Sequence, residues 1–385
     1  MAEYIEECMT SYPDLKSHYE TMLNLCTSKL WHQLTVKLLS FTSDKANMRD
    51  SNLSFVNLFD KFVSTFEAKL NQLSLAKIAT NVADSYGADD LQSRQSMIEG
   101  LLEKRARLGE QASLYLDMSL CQTLVSRNLD LALCKKSLAS SKVILDTLEG
   151  TSDTSCHSSY YKAASMYHKV VGPPEAFYKS ALMYISYTDA GTLSPDETQA
   201  LATDVSLAAL TGEGVYNFGE VVATPILESL KGTKDGWLMD LMLAFANGDV
   251  NTYNGIMARS SGEVKKHSAL FTRLEFVNEK IKLLALVNMV FERNAGDRNI
   301  SFKEIEARAQ VEGDMVEWLI MKALSLGLIK GQMDEIDQQV TVSWVMPRVL
   351  GKEQIEALGE RLGEWGKKVD EMKHYMDDQT IELFE

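Results

Sequence analysis

The stretch ISFKEIEARAQVEGDMVEWLIMKALSLGLIKGQMDEIDQQVTVSWV, residues 300–345, decides the fold of the C-terminal part of the chain. Ser301 and Glu304 have the spacing of a capping box, which predicts the start of a helix. Asp314 is expected to cap a second helix, and Gly327 stands where a left-handed residue would end it. After this glycine the apolar spacing changes from helical to alternating, which indicates strands.

Two short strands are predicted at 328–333 and 340–345, around the acidic turn 334–337. On the second strand, Val340, Val342 and Trp344 are expected to share one face, because side chains alternate along a strand. A long apolar helix over 274–291 precedes the two capped helices. Three helices followed by a two-stranded ribbon is the order of a winged helix. The predicted ribbon and docking residues are Leu328, Ile329, Val340, Val342 and Trp344.

The elements of this winged helix that would probe DNA are acidic. The helix that would read bases offers Asp314, Glu317 and Lys322, and the wing offers an acidic turn. Recognition of a duplex requires Lys or Arg against phosphates and usually Arg, Asn or Gln at base edges. We therefore interpret the winged helix as a protein-docking module, with a nucleic-acid-binding regulator as the less favoured alternative.

Upstream of the winged helix, helices come in pairs joined by short turns. The predicted pairs are 114–125 with 129–145, 160–171 with 175–187, and 238–245 with 250–257. Recurrence every 30 to 45 residues is typical of a tetratricopeptide-like solenoid, in which each pair buries its apolar stripe against the next. No strict repeat consensus is present, so an irregular all-α bundle stays open as the alternative. The overall prediction is an all-α dominated chain: a helical-pair solenoid, a winged helix and a C-terminal helix.

The C-terminal helix carries a narrow apolar seam. Seven apolar residues follow one another at alternating spacings of three and four: Ile355, Leu358, Leu362, Trp365, Val369, Met372 and Met376. This is the pattern of a helix that packs against another helix. Three glycines interrupt the same helix, and each costs ~1 kcal/mol relative to alanine. We therefore expect the helix to be ordered by its partners.

The composition narrows the functional classes. The chain has 385 residues, with 54 Asp+Glu against 39 Lys+Arg and a net charge of −15. This charge works against binding to nucleic acid or to anionic lipid. The N-terminus is acidic and no apolar run reaches the ~18 residues of a membrane span. The 5 cysteines form no CxxC pair, so we expect a soluble intracellular protein with reduced thiols.

No residue pattern predicts catalysis. The histidines form neither an H-x-H nor an HExxH pair, so no zinc-hydrolase site is expected. A P-loop is absent from the sequence, and the glycine-containing loop 211–219 is better interpreted as a tight turn between helices. The sequence thus predicts no catalytic residue, no metal site and no cofactor.

This organisation resembles the PCI-domain family, in which helical repeats run into a winged helix. Four stretches are similar to a non-ATPase PCI subunit of the 26S proteasome lid: KLWHQL at 29–34, GEGVYNFGE at 212–220 with PILESL at 225–230, MKALSLGLIK at 321–330, and WVMPRVL at 344–350. The expected division is an N-terminal solenoid over 1–174, the helical part of the PCI module over 175–265, its winged helix over 266–346 and a bundle helix over 347–385.

The resemblance implies a scaffold without a catalytic role. It implies that PCI lid subunits associate through their winged helices and C-terminal helix bundle, next to the lid's zinc isopeptidase, with a ubiquitin receptor as a further candidate partner. From the cysteines and the acidic charge, we expect residence in cytoplasm and nucleus, and no nucleic acid or membrane partner. PCI scaffolds of the signalosome or of translation initiation factor 3 stay open as alternatives.

Overall fold

The computed structural model describes residues 2–44, 47, 55–86, 90–147, 153–188, 191, 193–293, 298–349 and 352–380. The chain divides into two compact units, Met1–Thr192 and Leu193–Glu385. Of the predicted bundle segment 347–385, residues 350, 351 and 381–385 lie outside the described range.

The first unit consists of helices that pack on their neighbours in chain order. They are α1 (Ala2–Ser11), α2 (Lys16–Thr27), α3 (Trp31–Ser43), α4 (Phe55–Lys61), α5 (Gln72–Asp84), α6 (Leu91–Leu102), α7 (Arg105–Ser126, interrupted at Gly109), α8 (Leu131–Thr147), α9 (Thr154–Val171) and α10 (Pro174–Tyr187). Helix α3 packs on α5, α5 on α7, and α7 on α9. This succession confirms the predicted helical-pair array.

The first unit continues beyond the predicted boundary at residue 174. Helices α9 and α10, which that boundary separates, pack against each other along their length. The rings of Tyr161 and Tyr187 stack at 5.7 Å, and the hydroxyls of Ser158 and Thr188 share a hydrogen bond of 2.8 Å. The Gly-Pro-Pro turn at 172–174 thus joins two packed helices, and the division between compact units falls after Thr192.

The second unit is built around one long helix. Its elements are α11 (Pro195–Thr211), α12 (Gly219–Val222), α13 (Gly236–Asn247), α14 (Val250–Arg259), α15 (Ser261–Lys266), α16 (Ser268–Thr272), α17 (Leu274–Glu292), β1 (Asn299–Ser301), α18 (Phe302–Ala309), α19 (Gly313–Ser325), β2 (Ile329–Asp334), β3 (Gln339–Val345) and α20 (Lys352–Thr380). Helix α17 is buried on more than one side, as predicted, because α11, α13, α18, α19 and β3 all pack on it.

The sheet has three strands in the order β1-β3-β2, all antiparallel. The sequence predicted β2 and β3 but missed β1, a three-residue strand that overlaps the capping box of α18. Ile300 of β1 pairs with Val340 of β3, and both side chains are buried. The element order from α17 to β3 is that of a winged helix, so the predicted fold class is confirmed.

The predicted cap of α18 is present, whereas that of α19 differs. Ser194 and Glu197 form the capping box of α11, and Ser301 donates its backbone N–H to Glu304 at 3.0 Å. At α19 the N-cap is Glu312, so Asp314 lies inside the first turn rather than before it. Gly327 has a φ of +67° and ends α19 as predicted.

Candidate protein interaction surfaces

The predicted seam of α20 faces solvent. All seven of its side chains are between 45% and 66% exposed: Ile355, Leu358, Leu362, Trp365, Val369, Met372 and Met376. One contact to the rest of the second unit comes from Arg361, whose Nη2 donates a hydrogen bond to the backbone oxygen of Glu292 at 3.4 Å. An apolar ridge of this length on an otherwise charged helix fits an interface with another helix. Its coverage by a partner stays a prediction.

The connector from β3 to α20 is held at several points. Met346 donates its backbone N–H to the oxygen of Leu328 at 2.8 Å. The guanidinium of Arg348 donates to the oxygen of Ala246 at 2.5 Å and lies 5.5 Å from the centre of the Phe291 ring. Burial lowers the pKa of this guanidinium. The connector is therefore anchored before α20 begins.

The glycine-containing loop predicted as a tight turn receives this connector. The side-chain oxygen of Asn217 accepts the backbone N–H of Val349 at 3.3 Å. A Cβ atom on Gly219 would lie 2.8 Å from the backbone oxygen of Val349, closer than real Cβ atoms come. Glycine is therefore needed at 219 for the close approach of the two backbones. The loop thus has a structural role that the sequence did not reveal.

A buried lysine of α17 also holds this loop. Lys280 of α17 is 1% exposed, and its ammonium donates hydrogen bonds to the oxygens of Ala209 at 2.7 Å and Gly212 at 2.8 Å. These carbonyls are at the C-terminal end of α11, where a cation is favourable. The rings of Tyr216 and Phe218 lie within cation–π distance of the same ammonium. The lysine's position indicates a structural role.

The predicted ribbon residues separate into two groups. Four of them are at most 3% exposed and belong to the core of the second unit: Leu328, Ile329, Val340 and Val342. They stabilise the ribbon from inside, so their side chains are unavailable for docking in this conformation. Trp344 differs, because it is 38% exposed and lies under the ammonium of Lys330 at 5.0 Å.

Trp344 leaves the buried face because the ribbon contains an irregularity. Lys330 pairs with Trp344, but the next residue, Gly331, pairs with Val342, so Ser343 is an extra residue. Such a bulge interrupts the alternation of side chains along the strand. A Cβ on Gly331 would lie 2.2 Å from the backbone oxygen of Thr341, which explains the glycine. The prediction that Trp344 shares a face with Val340 and Val342 is therefore wrong.

Helix α19 presents an apolar patch that the sequence analysis did not identify. Met315, Trp318 and Met321 are 40% to 47% exposed, whereas Val316, Leu319, Ile320 and Ala323 on the inner face are buried. The ammonium of Lys322 lies 4.7 Å from the Trp318 ring and pairs with Glu279. The sequence did contain a signal for this patch. Helix α19 has more apolar residues than its buried face needs.

The described residues contain neither a group of metal ligands nor a helix suited to span a membrane. Among them, no three His, Cys, Asp or Glu side chains come together in a group that could hold a metal ion. Within the same part of the chain, none of the helices combines the length and apolar character needed to cross a bilayer. At the wing, the Asp334 carboxylate accepts the backbone N–H groups of Ile336 and Asp337. The acidic turn is therefore organised by its own hydrogen bonds.

Comparison with known proteins identifies both parts of the chain. The family model for PSD13 N-terminal repeats matches residues 18–242, and the PCI domain matches residues 256–344. The chain is 35% identical to 26S proteasome non-ATPase regulatory subunit 13 homolog B of Arabidopsis thaliana over 386 residues, covering 99% of this chain and 98% of the relative. It is 32% identical to 26S proteasome non-ATPase regulatory subunit 13 of Dictyostelium discoideum over 384 residues, covering 99% and 98%.

The alternative within the PCI proteins is much more distant. Eukaryotic translation initiation factor 3 subunit M of Aspergillus oryzae is 22% identical over 202 residues, which cover 52% of this chain and 43% of that protein. The full-length matches, by contrast, include the helical repeats, the winged helix and the seam helix together. The chain belongs to the family of 26S proteasome non-ATPase regulatory subunit 13, with PSD13 N-terminal repeats followed by a PCI domain.

Proposed function

We propose that this chain is a structural scaffold subunit of the 26S proteasome lid, which supports assembly of the regulatory particle and degradation of ubiquitinated proteins. The observation that carries this proposal is the full-length similarity to regulatory subunits of the 26S proteasome, together with an exposed seam on α20. The relatives are named non-ATPase subunits and carry a PCI domain, which fits a role in binding rather than in catalysis.

Two surfaces of the second unit suit this role. The first is the seam of α20, and the second is the α19 patch of Met315, Trp318 and Met321. Each is one face of a single helix. Two weak contacts on one chain strengthen each other, because the first raises the effective concentration of the second. A subunit that binds through both surfaces enters the assembly only where both partners are in place.

The partners at these surfaces are other proteasome subunits. In finer detail, we propose that PCI subunits of the lid and the zinc isopeptidase module contact the winged helix and α20, with a ubiquitin receptor as a further candidate. We also propose that the protein resides in cytoplasm and nucleus, as part of the 26S proteasome. The supporting observation for protein partners over nucleic acid is the acidic character of α19 and the wing.

Co-purification tests the proposal. The full chain, tagged at its N-terminus so that α20 stays free, is isolated from its own cells, and its stoichiometric partners are identified by mass spectrometry. Lid subunits of the 26S proteasome are the expected result. Stoichiometric signalosome or initiation factor 3 subunits would overturn the proposal. A salt-titrated binding assay with duplex DNA and RNA tests the alternative of a nucleic-acid-binding regulator. Contacts to phosphates would make the affinity fall steeply with salt concentration.

A further inference from the structure

The charges of α20 are sorted by face. In heptad positions, with the seam at a and d, the flanking positions e and g carry Arg361, Lys368 and Lys373 and no acidic residue between 359 and 375. The acidic residues occupy the outer positions b, c and f: Glu356, Glu360, Glu364, Asp370 and Glu371. The seam thus has cationic flanks on a chain whose net charge is −15. Residues at e and g set the choice of partner helix through interhelical charge pairs.

One edge of the seam is also open to close approach. Gly359 and Gly366 occupy e positions, and a Cβ atom on either would meet no other atom within 4 Å. The exposed seam already marks this face as an interaction surface. Glycine at the edge allows the backbone of a packed helix to come nearer than larger residues would. The geometry therefore favours an asymmetric fit, with Arg361 and Lys368 along the g edge and two glycines followed by Lys373 along the e edge.

A second copy of this chain does not fit the seam. In a parallel pair of helices, residue g faces residue e of the next heptad on the other strand, so Lys368 would face Lys373 of the second copy. In an antiparallel pair, g faces g, which brings Arg361 and Lys368 against the same residues. Both arrangements place like charges opposite each other, which is destabilising.

We propose that the occupant of the seam is a helix of another lid subunit with acidic side chains at its flanking positions, packed closest at Gly359 and Gly366. This inference rests on the proposed scaffold function and specifies the chemistry of the partner. Acidic flanks would pair with Arg361, Lys368 and Lys373, and the apolar seams would bury each other. The charge pairs select the partner and its register, while apolar burial supplies most of the affinity.

Two neighbouring lysines provide a matched test. Lys368 lies at the flank position g and Lys367 at the outer position f, and both side chains are exposed. The full chain carrying Lys368→Glu or Lys367→Glu is co-expressed with the other lid subunits, and incorporation into the lid is measured by quantitative mass spectrometry. Lys368→Glu is expected to reduce incorporation about fivefold at low salt, with the difference lost at ~0.5 M salt. Lys367→Glu is expected to leave incorporation within about twofold of the unchanged chain.

Zero-length carbodiimide cross-linking identifies the partner, because it joins amines only to carboxylates in contact. Lys368 or Lys373 is expected to link to Asp or Glu on one helix of another lid subunit, and Lys368→Arg should keep incorporation while removing the Lys368 link. Equal incorporation of the two Glu variants, or absence of such links in the assembled lid, would overturn the inference and leave the scaffold function standing. Failure of the unchanged chain to enter the lid would overturn both.

Discussion

Among single residues, Lys280 is a long basic side chain that is 1% exposed. Its ammonium is held by backbone oxygens at the end of α11 and by surrounding aromatic rings. Burial of a cation is costly unless its hydrogen-bonding capacity is used, and the carbonyls supply this here. Lys280 therefore fixes the loop that receives the connector to α20. Through this loop, one buried residue helps to hold the connector from which α20 begins.

Replacement of Lys280 tests this role. Lys280→Met should lower the free energy of unfolding by about 3 kcal/mol, because it leaves buried carbonyls without their charged donor. Urea denaturation followed by circular dichroism measures the change. Lys282→Met, on the same helix and half-buried, is the control and should cost less than ~1 kcal/mol. Equal effects of the two variants would contradict the role assigned to Lys280.

Gly219 permits a second test at the residue scale. Gly219→Ala places a methyl group 2.8 Å from the Val349 oxygen, so the connector must shift. We expect a loss of about 1–3 kcal/mol in stability, together with faster hydrogen exchange of the Val349 amide. Gly255→Ala in α14 is the control, because a Cβ there meets no atom within 4 Å. A Gly219→Ala variant as stable as the unchanged chain would show that the close approach is unnecessary.

Residue-scale contacts differ in how far the sequence predicts them. The capping box of Ser301 and Glu304 was predicted because the two residues lie only three positions apart. The hydrogen bond between Arg348 and the Ala246 oxygen joins residues 102 positions apart, so no local sequence pattern predicts it. Asp314 was misplaced as a cap, because the N-cap is Glu312, two residues earlier than the acidic residue suggested.

At the scale of elements, the bulge in the ribbon decides which side chains reach the surface. Val342 is 3% exposed, whereas Trp344 on the other side of the bulge is 38% exposed. The alternation of side chains along one strand predicted that both lie on one face. It could not predict the bulge, because a bulge depends on how the partner strand pairs. The positions of the strands were predicted from local spacing. Which face the last side chains of β3 occupy could be known only from its pairing with β2.

The two ribbon positions should respond differently to a charge. Val342→Asp buries a carboxylate without a partner and should destabilise the winged helix by about 3–4 kcal/mol. Trp344→Asp changes an exposed side chain and should cost about 1 kcal/mol or less. Thermal unfolding of the full chain measures both. Similar midpoints for the two variants would show that the assigned phase of β3 is wrong.

Helix α20 permits a comparison of two glycines. Gly363→Ala and Gly366→Ala should each favour the helix by up to ~1 kcal/mol, which circular dichroism detects as added helicity. Gly363 lies at the outer position b, so its replacement should not reduce incorporation into the lid. Gly366 lies at the edge of the seam, where the added methyl group should reduce it. Undiminished incorporation of Gly366→Ala would contradict close approach of the partner at that edge.

The whole molecule contains an array of helical pairs and a winged-helix module followed by an amphipathic helix with an exposed seam. The fold class was predictable, because helical periodicity and caps are local and recur along the chain. The division between compact units after Thr192 has no comparable local signal, and the predicted domain bounds stay a prediction. The apolar stripe of α20 was predictable, since a period of 3.5 residues over 355–376 is visible in the sequence, but its use as an interface stays a prediction.

Methionine footprinting of the free chain and of the assembled lid tests the central claim most directly. Met372 and Met376 lie on the seam, and Met183 of α10, 48% exposed, serves as an internal control. In the free chain we expect all three to oxidise at similar rates. In the lid we expect Met372 and Met376 to be protected at least tenfold relative to Met183, because a foreign helix covers them. Seam methionines that oxidise equally fast in the lid, or that are already protected in the free chain, would contradict the account.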